Sequence, residues 1–86
     1  MEAIPLIREL IAAMRHGGFE SHANELQRLL DELLGGSAQE QRHAAQTISA
    51  NCHVKCYGDL NIHVLGHGSY PLWTHLSRIK DALAAF

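Results

Sequence analysis

Apolar residues recur along this chain at intervals of three and four, as expected of helices that each bury one face. Ile4, Ile7, Leu10, Ile11 and Met14 form the first stripe, with Pro5 tolerated in the opening turn. Gly17-Gly18 stops that segment, and Arg15 and His16 place positive charge against the negative end of its dipole. A second stripe, Phe19, Ala23, Leu26, Leu29, Leu30, Leu33 and Leu34, is wide enough to face two neighbours and ends at Gly35-Gly36. Ser37-Ala38-Gln39-Glu40 then fits a capping box, the serine side chain on the Glu40 amide and the glutamate reaching back to the Ser37 amide. The third helix carries a thin stripe of Ala44, Ala45, Ile48 and Cys52, on which Cys52 reads as a small buried hydrophobe. A fourth begins after Ser69-Tyr70-Pro71 and presents Leu72, Trp73, Leu76, Ile79, Leu83 and Phe86, with Trp73 as the largest filler.

These elements predict an all-α fold, a small antiparallel four-helix bundle with a long loop between the third and fourth helices. At 86 residues the chain reads as a single helical domain, residues 1–86, whose core needs nearly every apolar face it has. Residues 54–64 admit two local structures. Val54, Cys56, Leu60, Ile62 and Val64 alternate about Gly58-Asp59 in the manner of a small β-hairpin, but an isolated hairpin is marginal in water. Helix running through about Val54, followed by an ordered loop, is the preferred reading.

Charge narrows the partners. The net charge is −2, and Lys55 is the only base between Arg42 and Arg78, so the clustered cations that neutralise nucleic-acid phosphates are missing. No apolar run reaches the length of a bilayer span, and Met1-Glu2-Ala3-Ile4-Pro5 lacks the basic start of a signal peptide. The expectation is a cytoplasmic protein with reduced thiols, no nucleic-acid partner and no membrane partner. Up to His43 the chain holds seven acids against four arginines, so a basic partner would meet that half. Within it Arg28 is placed to pair with Glu25 and Glu32, and Asp31 lies nearby on the polar side of the second helix.

The chemistry-bearing residues are concentrated from Cys52 to Gly68. Cys52, Cys56, His63 and His67 supply the ligand types of tetrahedral zinc. Their middle gap is six residues, however, where the familiar finger leaves about twelve for a hairpin and a helix to fold around the ion. A hydrolase built on Cys56, a histidine base at His63 or His67 and Asp59 as orienter needs a pocket that a bundle this small has little room for. The chain is therefore read as a non-enzyme without a cofactor, with zinc on those four residues as the alternative. Tyr57, Asp59, Asn61, His63 and Tyr70 remain as polar-tipped side chains among glycines, on a loop held by a rigid scaffold. Asp59 and Asn61 also suit turns that bond their own backbone. His43 and His75 fall toward helix edges and are expected to be exposed.

Gly17-Gly18-Phe19 before a leucine-rich helix, and Tyr57-Gly58-Asp59-Leu60-Asn61 between the third and last helices, resemble small bacterial helical immunity proteins of polymorphic-toxin systems. The chain has no Gly-Gly-x-Gly-Ser run before that segment, and its Asp59 precedes Leu60-Asn61 instead of following them, so no functional residue is carried over. The resemblance implies an antidote that binds a cognate toxin protein and occludes its active site. On that implication the expected contact residues are Tyr57, Asp59, Asn61 and His63, flanked by Glu25, Asp31 and Glu32. A homodimer through the thin alanine face of the third helix is a further expectation.

Overall fold

The structure, a computed structural model, describes residues 2–52 and 72–84, apart from the side chain of Trp73. It is all-helical across those residues, with α1 Ala3–His16, α2 Glu20–Gly35, α3 Ala38–Asn51 and α4 Leu72–Leu83. The hairpin-or-loop question at 54–64, the Ser69-Tyr70-Pro71 start and the packing of Phe86 lie outside the described residues.

Each junction follows from its sequence. Gly18 takes φ +88°, a conformation that costs little only without a Cβ, and the Phe19 amide bonds back to the Met14 carbonyl at 2.8 Å. Arg15 ties the two helices across this turn, donating to Glu20 at 2.8 Å and to Asn24 at 3.0 Å. The pair is exposed, so its contribution is small and it mainly fixes direction. Between α2 and α3, Gly36 is the cap and the capping box forms in both directions, each bond 3.2 Å long. Links this short fold successive helices back on each other.

The helices then close into a ring. α2 packs on α1 and α3, and α4 packs on α1 and α3. His75 sits beside Leu6 and Glu9, while Arg78, Asp81 and Ala82 share a groove with Glu2, Pro5 and Leu6, so α4 runs antiparallel to α1. Inside the ring, Ile7, Leu10, Met14, Leu26, Leu29, Leu30, Ile48 and Ile79 are fully buried. Each such side chain stabilises the fold by about 1.5–3 kcal/mol relative to exposure. Leu72, Leu76 and Leu83 complete the α4 contribution as the spacing predicts.

Four details depart from the sequence reading. Leu34 is 46 % exposed, because at about 100° per residue it falls at the edge of a core-facing arc centred on Leu26 and Leu33. Arg28 pairs with Glu32 at 2.9 Å, a full turn on, and not with Glu25. α3 ends at Asn51, short of Val54: Cys52 leaves the helical region at ψ 60°, with its amide shared between the Ile48 and Ser49 carbonyls. The α3 stripe offers only Lys55 and Cys56 beyond Cys52, so further turns would gain little burial. The fourth departure is His75, which is fully buried.

Candidate functional site

Six of the residues singled out for chemistry, Cys56, Tyr57, Asp59, Asn61, His63 and His67, lie outside the described residues. The structure does place what bounds them. Cys52 caps α3 and Leu72 opens α4, and both are buried in the core. Since α1, α2 and α3 alternate in direction, Cys52 lies at the end of the bundle that holds the Gly17–Phe19 turn and the start of α2. That end carries exposed His16 and His22, with His22 in edge contact with the half-buried Phe19 ring at 6.0 Å.

Glu25, Asp31 and Glu32 are all on α2 but do not form one patch. Glu25 is exposed and stands two turns before Glu32 on the same flank, whereas Asp31 lies about 100° round the helix from Glu32. Asp31 accepts from Gln27 at 3.0 Å, and Glu32 accepts from Arg28. Glu32 is also about 18 Å along the axis from Glu20 at the Cys52 end, at 1.5 Å per residue. Of the three, Glu25 stands nearest to where the 53–71 connection leaves α3.

Cys52 behaves as a core residue. Its side chain is 5 % exposed, and burial pushes the thiol from 9.0 up to about 12, with the Lys80 charge pulling part of the way back. Of the proposed Cys52, Cys56, His63, His67 set, Cys52 is the one member that the structure describes, and it packs in the hydrophobic core. No group of three or more His, Cys, Asp or Glu that could hold a metal occurs among the described residues. The alanine face proposed for a homodimer is covered by the chain's own helices: Ala44 and Ala45 are buried in the core.

The polar group that sequence reasoning missed is His75. Its Nε2 lies 2.7 Å from the Leu6 carbonyl oxygen and therefore donates to it; Nδ1 faces the Glu9 carboxylate at 3.9 Å. The signal was present in the spacing, because His75 stands three residues after Leu72 and four before Ile79, on the apolar stripe itself. Alongside it, α1 and α4 form an open groove of about 620 Å³ with carboxylates from Glu2, Glu9 and Asp81, a guanidinium from Arg78 and apolar surface from Pro5, Leu6 and Ala82. Among the described residues no helix is long and apolar enough to cross a membrane. Family models, curated proteins and solved structures were compared with the chain, and none matches.

Proposed function

We propose that this chain is an immunity protein: a bacterial, cytoplasmic antidote that binds a cognate toxin domain and occludes it, acting by binding and not by turnover. The observation that supports this reading is the closure of the bundle. The described helices bury their apolar stripes on one another, and the last buried residues before and after the 53–71 connection are Cys52 and Leu72. A scaffold of that kind holds a connecting segment at two fixed points, as rigid frames hold recognition loops in general.

In this reading Tyr57, Asp59, Asn61 and His63 meet the toxin, with Glu25 as the nearest acidic neighbour on α2 and Asp31 and Glu32 further along it. The toxin surface is a basic, substrate-binding cleft. Complementary charge speeds encounter, while a buried aromatic such as Tyr57 slows dissociation.

The test is to co-express the chain with a toxin-like protein encoded beside it and to measure both growth rescue and co-purification. Wild-type protein rescues and co-purifies, and Tyr57→Ala with Asp59→Ala raises the Kd at least tenfold while the melting curve stays in place. Unchanged rescue by the double variant removes the segment from the interface. Absence of any rescue by wild-type chain removes the antidote reading itself.

A further inference from the structure

We draw no further inference here: the strongest candidate, the groove between α1 and α4 lined by Glu2, Glu9, Arg78 and Asp81 with Pro5, Leu6 and Ala82, is a mixed-charge, partly apolar surface, and nothing in the structure shows what covers it.

Discussion

His75 on α4 donates from Nε2 to the backbone carbonyl oxygen of Leu6 on α1 across 2.7 Å, with its ring fully buried. A helical carbonyl has two lone pairs, so Leu6 can accept from an imidazole and still take part in its own helix. The bond joins the helix that follows the long connection to the helix that opens the chain.

Removing that ring should be costly. His75→Ala deletes a buried side chain and a hydrogen bond together, and is expected to lower unfolding free energy by about 2–4 kcal/mol. His75→Gln keeps a donor and should recover part of the loss. Urea titration of the three proteins checks both statements; a loss below about 0.5 kcal/mol for the alanine variant, the size of an ordinary surface change, would show that α4 is held in other ways.

The two glycines at the α2 end should respond in opposite directions. A Cβ at Gly36 would meet the Glu32 carbonyl oxygen of the last turn of α2 at 2.6 Å and the Cβ of Glu40, a member of the capping box, at 2.9 Å. Gly36→Ala is expected to destabilise by about 1–3 kcal/mol. Gly35 is in the last turn of α2 with nothing within 4 Å of its added Cβ, so Gly35→Ala should be neutral or stabilise by up to about 1 kcal/mol. Thermal melts of the two variants read the contrast directly, and a Tm for Gly36→Ala at or above wild type refutes the crowding.

Cys52 predicts a loss of stability in alkali. Its folded pKa is raised to about 12 from 9.0, so the folded chain keeps a proton that the unfolded chain releases first. The thiol's contribution is complete below pH 9 and falls by about 1.4 kcal/mol per unit between there and pH 12. Other groups titrate in that range, so the measurement is the difference between wild type and Cys52→Ala. Denaturation curves for the two should converge as pH rises from 9 to 11; parallel curves would place the thiol in water.

Metal removal should leave the fold intact. The core described above is assembled from helix side chains, with a neutral Cys52 inside it. Dialysis against a chelator is expected to leave the Tm unchanged and to strip no stoichiometric metal. Bound zinc at one per chain, with melting displaced on its removal, would instead establish the Cys52, Cys56, His63, His67 set.

The bundle was legible in the sequence wherever one physical cause acted alone. Leu26, Leu29, Leu30 and Leu33 bury because apolar area repeats at the helical period, and Ser37 and Glu40 cap because their side chains fit orphan amides. At His75 residue type and position point opposite ways: an imidazole suggests solvent, while the slot between Leu72 and Ile79 points inward, and the position wins. Leu34 is the opposite case, an apolar side chain at an angle the core does not reach. The end of α3 depended on whether anything lay beyond Cys52 to bury, a tertiary matter that local pattern does not carry. The acidic flank shows the same limit. Glu25, Asp31 and Glu32 are close in the chain, yet their angles around α2 and their partners Gln27 and Arg28 divide them.

α3 and α4 are joined by the longest connection in the chain and are nonetheless packed against each other. For a flexible loop, closure entropy grows only with the logarithm of length, each doubling costing about 0.6 kcal/mol. A change of length between Cys52 and Leu72 falls outside the described helices, whereas the same change at Gly18 or Gly36 falls on a left-handed turn or a crowded cap. Under the proposed antidote reading, that asymmetry would let the contact segment change in length while the described helices keep their packing.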